Sequence, residues 1–148
     1  MAARRVNEIY NHAIKLLSAR DYTVAKLREK LASRFGDVPQ EIIDRLVRQK
    51  FLNDRRFAEN YAGNRSHRGR VLLREELLVR GIPTALADEI LSKMAWPSLR
   101  EALTAKMNDC NLHSPLQLRD ATRLFRALQR LGYDEDAIRE EIEKLHEQ

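Results

Sequence analysis

Residues 73–81 read LREELLVRG, and this stretch decides the fold because its pattern occurs three times in the chain. In each copy, two leucines four residues apart are followed by a glycine. Residues four apart share one face of an α-helix, and a glycine just past a helix can adopt the left-handed conformation that ends it. The pattern therefore predicts a helical repeat with periods of 46 and then 51 residues. Its copies are Leu27, Leu31 and Gly36; Leu73, Leu77 and Gly81; and Leu124, Leu128 and Gly132.

Apolar residues also recur three and four positions apart along the rest of the chain, which indicates nine amphipathic helices and no strands. Only 5 glycines and 4 prolines interrupt the 148 residues. Each copy of the repeat has one helix before it and one after it. We therefore predict an all-α, elongated tandem array of three three-helix repeats that resemble helix-turn-helix units. The predicted repeats are residues 1–52, 53–95 and 96–148. A compact nine-helix bundle with accidental periodicity is the alternative.

Short polar side chains occur where the helices should begin, because their oxygens can accept hydrogen bonds from the free amides of a first turn. Ser114 precedes Gln117 by three residues and is followed by Pro115, so this segment also predicts a helix start. The other predicted N-caps are Thr23, Asn53 or Asp54, Ser98 and Asp134.

The net charge of +5 is unevenly distributed along the chain. Residues 1–70 hold 16 Lys and Arg against 8 Asp and Glu, whereas residues 71–148 hold 11 against 14. Residues 60–74 contain four arginines and a histidine but no acid. The guanidinium group of an arginine can bind two oxygens of one phosphate, and this contact does not read the base sequence. Residues 65–74 are therefore a candidate nucleic-acid contact, and we refer to them as the basic segment. A solvated helix end is the plainer interpretation.

Two aromatic residues and the last helix could each have either a structural role or a binding role. Tyr61 could stack on a base, but it shares an apolar stripe with Phe57, which favours a core position. Trp96 precedes Pro97 at a predicted repeat boundary, where it can wedge two repeats apart or anchor a partner. The helix predicted over residues 134–148 holds seven acids against two bases. It could meet a basic protein surface, although acids in a first turn also complement the helix dipole.

Composition excludes several classes of protein. A single cysteine excludes a disulfide scaffold, and Cys110 with His113 does not make a zinc site, so we expect no metal. No glycine-rich phosphate loop with Lys-Ser or Lys-Thr is present, and no acid–base or nucleophile pair is evident, so we expect no enzyme activity. No segment is apolar enough to span a membrane. The basic N-terminus is not a secretory signal, although an amphipathic targeting helix is an alternative, and we expect a cytoplasmic protein.

Two motifs of the middle repeat resemble those of the RecX family, the bacterial regulators of the RecA recombinase. Residues 51–58 read FLNDRRFA and residues 75–82 read EELLVRGI, and both match the family pattern. Residues 23–31 and 124–133 extend the resemblance into the first and third repeats. The chain departs from the family at His67, where a second loop glycine is common, and at Lys26, where an acidic capping residue is common.

This resemblance implies a regulator without chemistry of its own, acting in homologous recombination, DNA repair and the SOS response. RecX proteins bind the RecA filament on single-stranded DNA, lie in its groove and limit filament growth, ATP hydrolysis and strand exchange. We accordingly expect a monomer without a cofactor that contacts single-stranded DNA weakly, through the filament. The expected DNA or filament contacts are Arg55, Arg56, Arg65, His67, Arg68, Arg70, Arg74 and Arg80, with Lys26, Arg28, Lys30, Arg45, Arg48 and Lys50 as secondary candidates.

Two other functions remain open at the level of the sequence. A stand-alone DNA-binding protein with helix-turn-helix-like units would show a preference for a duplex sequence without RecA. A helical adaptor, in which the basic face has no role in binding, would still bind its partners after the arginines of that face are replaced.

Overall fold

A computed structural model describes residues 2–146, and these residues form nine α-helices and a single 3-10 turn, without a strand. The all-α class and the three helices of each predicted repeat are confirmed. Met1, Glu147 and Gln148, which belong to the predicted terminal helices, lie outside the described residues. The helices are α1 (Ala2–Ala19), α2 (Val24–Phe35), α3 (Gln40–Arg48), α4 (Asp54–Gly63), α5 (Arg70–Val79), α6 (Thr84–Lys93), α7 (Leu99–Asp109), α8 (Leu118–Arg130) and α9 (Glu135–His146).

The described chain folds as two compact units. Unit 1 comprises the chain up to Asn64 together with Glu75–Lys93, and unit 2 comprises Arg65–Arg74 together with the chain from Met94 onward. Helix α5 contributes its first half to unit 2 and its second half to unit 1. The repeat boundaries drawn from the sequence, at residues 52/53 and 95/96, stay a prediction.

The repeated leucines form the centre of the packing. All six, two from each copy of the motif, are at most 3% exposed. The glycine that follows each pair has a positive φ, at 78°, 86° and 100° in chain order. In unit 1, α1, α2 and α3 enclose a core that includes Leu27, Leu31, Ile42 and Leu46. The periodicity of the sequence therefore located both the buried faces and the turns.

The N-terminus of α2 is held by residues of the second repeat. Thr23 accepts a hydrogen bond from the amide of Lys26, as an N-cap should, and its hydroxyl donates to the carbonyl of Arg80 at 2.6 Å. Asn53 caps α4 by accepting from the amide of Arg56. Its neighbour Asp54 instead accepts from the amide of Val24 at 2.9 Å. Two polar side chains thus tie the first repeat to the second within unit 1.

The turn between α5 and α6 lies directly against α2. A Cβ atom placed on Gly81 would overlap the Cβ of Ala25, and Gly81 has a φ of 86°. Both the contact and the backbone conformation therefore require glycine at this position.

The core of unit 2 is enclosed by α7, α8 and α9 and includes Leu103, Leu124, Leu128 and Ile138. Ser98 and Asp134 cap α7 and α9 through the amides of Glu101 and Ala137, as predicted.

The helix start predicted at Ser114 and Pro115 is wrong, because α8 begins at Leu118. The residues before it form a loop that places Leu116 in the core of unit 2, where it is 8% exposed. The capping-box spacing carries no information on this burial, which is why the sequence placed the helix too early.

We predict that Gly81→Ala lowers the free energy of unfolding by about 1–3 kcal/mol, since the new Cβ meets Ala25 and φ is positive. Gly63→Ala is the matched control, because Gly63 ends α4 and a Cβ added there would have nothing within 4 Å. We expect that substitution to be neutral or stabilising by up to about 1 kcal/mol. Urea unfolding followed by circular dichroism measures both, and equal stability of the two variants would contradict the packing described.

Candidate nucleic-acid interface

The basic segment is fixed on the surface of unit 2 by a glycine contact. Ser66–Arg68 form the 3-10 turn, Gly69 follows with a φ of 85°, and α5 begins at Arg70. A Cβ on Gly69 would lie 2.7 Å from the side chain of Leu131 and 2.8 Å from its Cα. The backbone of the segment therefore packs against the turn between α8 and α9, and this contact fixes the position of the segment on unit 2.

The side chains of the basic segment differ in their environment. His67, Arg68 and Arg70 are exposed, whereas Arg65 and Arg74 are half-buried. Arg65, Arg68 and Arg74 each interact with other residues of the protein. Because Gly69 has no side chain, it cannot cap the first amides of α5, and the N-terminus of a helix favours an anion. Guanidinium and imidazole groups thus lie next to the start of α5 in the chain, and groups of this kind can bind phosphate.

A cavity of about 410 Å³ lies beside the basic segment in unit 2. His67 and Arg70 contribute basic groups to its wall, and Trp96 and Tyr133 contribute aromatic rings. The Tyr133 hydroxyl donates to the carbonyl of Pro97 at 2.5 Å, and burial raises the pKa of Tyr133. The aromatic wall is therefore held in place, and a flat apolar group could enter beside a bound phosphate.

The arginines of the family-like motifs lie in unit 1 and have intramolecular partners. Arg55 forms a two-pronged ion pair with Glu89, with the shorter distance 2.9 Å. Arg56 donates to the carbonyls of Lys50 and Phe51. The guanidinium of Arg80 lies 4.4 Å from the ring centre of Tyr61, and its Nη1 donates to the carbonyl of Glu76. These three therefore belong to unit 1, whereas the other five primary candidates belong to unit 2.

The secondary basic candidates all lie in unit 1, on α2, α3 and the residue pair that follows α3. Lys26 pairs with Glu29 at 3.4 Å, and Arg28 donates to Gln40 at 2.6 Å. The guanidinium carbon of Arg45 lies 4.0 Å from the ring centre of Tyr10. The exposed residues of this group are Lys30, Arg45, Arg48 and Lys50.

The core position predicted for Tyr61 is confirmed. The side chain is 8% exposed, its ring is stacked with Phe57, and its hydroxyl donates to Glu76 at 2.5 Å. Trp96 is half-buried in the wall of the unit 2 cavity.

Sequence reasoning missed one basic surface. Arg119, Arg123, Arg126 and Arg130 lie along α8, within residues 71–148, where acids outnumber bases. Their spacing of four, three and four residues places them on one face of a helix, and this periodicity was the available signal.

Within residues 2–146, no group of three or more His, Cys, Asp or Glu side chains is arranged to hold a metal ion. None of the helices described for this chain is long and apolar enough to cross a membrane.

Comparison with known proteins places the chain beside one family. The family model described as RecX, second three-helix domain, matches residues 53–91. Regulatory protein RecX of Trichlorobacter lovleyi is 35% identical, over 93% of this chain and 96% of that protein. Regulatory protein RecX of Halorhodospira halophila is 30% identical, over 86% and 81%. The crystal structure of RecX from Lactobacillus salivarius has the same fold, with a TM-score of 0.75, 22% identity and 97% coverage of both chains.

We predict that Trp96, the single tryptophan, reports nucleic-acid binding to the basic segment. Titration with oligothymidylate should change its fluorescence, because the cavity it lines opens beside His67 and Arg70. Replacing these two residues by Gln should abolish the change without unfolding the protein, since neither side chain has a hydrogen-bond or ion-pair partner among residues 2–146. A fluorescence change that persists in the double variant would contradict this placement.

We also predict a low pKa for Glu89. Hydrogen bonds from Arg55 and then Lys93 lower it from the usual 4.5 to about 2. The ionised form is therefore favoured in the folded state, and its contribution to stability is present above pH 4.5 and lost as the pH falls toward 2. Carboxyl NMR titration should show the Glu89 pKa rising in Arg55→Gln. An unchanged pKa would mean that the ion pair does not persist in solution.

Proposed function

Because the chain belongs to the RecX family, we propose that it is a non-enzymatic modulator, mainly an inhibitor, of the RecA recombinase. In this proposal the protein binds the RecA filament on single-stranded DNA, lies in the filament groove and limits filament growth, ATP hydrolysis and strand exchange. It acts as a monomer without a cofactor, in the cytoplasm, in recombination and DNA repair.

The observation that best supports the proposal is the basic segment and its packing against the turn between α8 and α9. Gly69 and Leu131 hold the segment against unit 2, and the exposed side chains of His67, Arg68 and Arg70 face solvent. Phosphate contacts supply affinity without sequence readout. This property suits a regulator that must act wherever a filament has assembled, whatever the DNA sequence beneath it.

Arg55, Arg56 and Arg80 have a smaller part in this proposal than the basic segment. A phosphate that binds Arg55 must compete with Glu89, which lies 2.9 Å from the guanidinium. A phosphate at Arg80 must displace the guanidinium from the ring of Tyr61. We infer that the basic segment provides more of the DNA contact than the motif arginines do, and that the motif arginines position the helices.

A stand-alone DNA-binding protein is the second candidate, favoured by three-helix units that lie beside an arginine-rich segment. A helix-turn-helix protein inserts one helix into the major groove and reads base edges. Competition between duplexes of different sequence separates the two functions. A marked preference for one duplex in the absence of RecA would favour this candidate, and equal, salt-sensitive binding to all of them would favour the filament modulator.

We predict that the protein lowers the ATPase rate of RecA on single-stranded DNA, and that the variant with Arg65, Arg68 and Arg70 all replaced by Gln needs about tenfold more protein for the same effect. The difference should shrink as salt rises, because the wild-type contacts are then screened. A coupled ATPase assay at several salt concentrations measures both effects.

A control variant removes the same number of positive charges from residues outside the basic segment. Lys15, Lys93 and Lys144 are exposed residues of α1, α6 and α9, and their replacement by Gln lowers the net charge by the same three. This variant should inhibit like the wild type. An unchanged RecA ATPase at equimolar wild-type protein would contradict the proposed function. Equal loss of inhibition in both variants would contradict the role of the basic segment alone.

A further inference from the structure

Helix α8 carries a row of four arginines on the side away from its core. At 3.6 residues per turn, Arg119, Arg123, Arg126 and Arg130 fall within about 60° of one another around the helix axis. Leu124 and Leu128 face the core on the other side, at 3% and 0% exposure. All four arginines are exposed. With a rise of about 1.5 Å per residue, the row is about 16 Å long.

The row borders a groove on unit 2 of about 780 Å³. Lys106 of α7 adds a fifth basic side chain, and none of the described residues that line the groove is acidic. Leu112 and Leu118 provide apolar surface, and Leu118 is 84% exposed. We refer to this surface as the α8 groove.

The basic side chains of the α8 groove make few stabilising interactions with the rest of the described protein. Arg119 lies 3.7 Å from Asp120. Lys106, Arg123, Arg126 and Arg130 form no ion pair or side-chain hydrogen bond with the rest of the chain between residues 2 and 146. By contrast, Arg139 and Lys144 of α9 each pair with an acid one turn away. Like charges three and four residues apart on α8 weaken the helix slightly, so the row has no structural benefit in the protein alone.

We propose that the α8 groove binds the phosphate backbone of single-stranded nucleic acid, as a second contact distinct from the basic segment. A periodic row of guanidinium groups without acids complements a regularly spaced polyanion. At the rise of about 3.4 Å per nucleotide of B-form DNA the row would span about five nucleotides, and fewer on a more extended single strand. The exposed Leu118 offers apolar surface to sugars and bases. This surface requires no RecA, so it goes beyond the proposed function and is tested without the filament.

The test uses the full chain and a fluorescein-labelled oligothymidylate in the absence of RecA. Arg123, Arg126 and Arg130 are replaced together by Gln, and affinity is measured by fluorescence anisotropy across a range of salt. Loss of three phosphate contacts should reduce the slope of log affinity against log salt by about 2. Between about 50 and 200 mM salt, the wild type should then lose on the order of fifteenfold more affinity than the variant.

The variant with Lys15, Lys93 and Lys144 replaced by Gln removes the same charge from other faces and should keep the wild-type slope. Cys110 supplies a second readout, because this single cysteine is exposed and lines the groove. Oligothymidylate should slow its reaction with a thiol reagent in the wild type but not in the α8 variant. Circular dichroism melting checks that both variants fold.

Two results would overturn the proposal. One is failure of the wild type to bind oligothymidylate at all. The other is an α8 variant with the affinity and salt slope of the wild type, which would leave an acidic protein surface as the partner of the groove. Neither result decides whether the wild type inhibits RecA, which the ATPase assay measures separately.

Discussion

The packing of unit 1 depends on the N-terminus of α2, where a buried threonine connects two repeats. Thr23 is completely buried, so its hydroxyl must be hydrogen-bonded, and the carbonyl of Arg80 is the acceptor. An unsatisfied buried hydroxyl costs about 1–3 kcal/mol, which opposes any shift of the α5–α6 turn away from α2. Asp54 accepts from the amide of Val24, and Gly81 allows the backbone to approach Ala25. These contacts fix the register of the second repeat on the first.

These constraints explain what the family motifs do in the structure. Asn53 and Asp54 cap helices, Gly81 permits a close approach, and Arg55, Arg56 and Arg80 have partners within unit 1. The motifs that identify the family therefore position helices. Other exposed basic groups lie in unit 2, at His67 and Arg70 of the basic segment and along α8. A family motif need not coincide with the surface that meets a partner, since packing also constrains a sequence.

Charge in the third repeat is separated by helix face rather than by position along the chain. The repeat holds eight basic and ten acidic residues, and the total hides a row of arginines on α8. Many of the acids lie on α9, where Arg139 and Lys144 pair with Glu135, Asp136 and Glu141, and where Arg100 of α7 reaches Glu141. The acidic helix is thus partly neutralised within unit 2, whereas Arg123, Arg126 and Arg130 of α8 form no ion pair among residues 2–146.

The sequence by itself determined the helical class, the nine helices found in residues 2–146, the buried leucines and most of the caps, because these follow from local periodicity and from the chemistry of single helix ends. It also located the basic segment, which is contiguous in the chain. It placed the start of α8 too early because the burial of Leu116 depends on α7 and α9. Only the tertiary structure decided which arginines have partners, since Glu89 meets Arg55 across 34 residues. The cavity beside Trp96 and the α8 groove likewise depend on helices that meet only after folding.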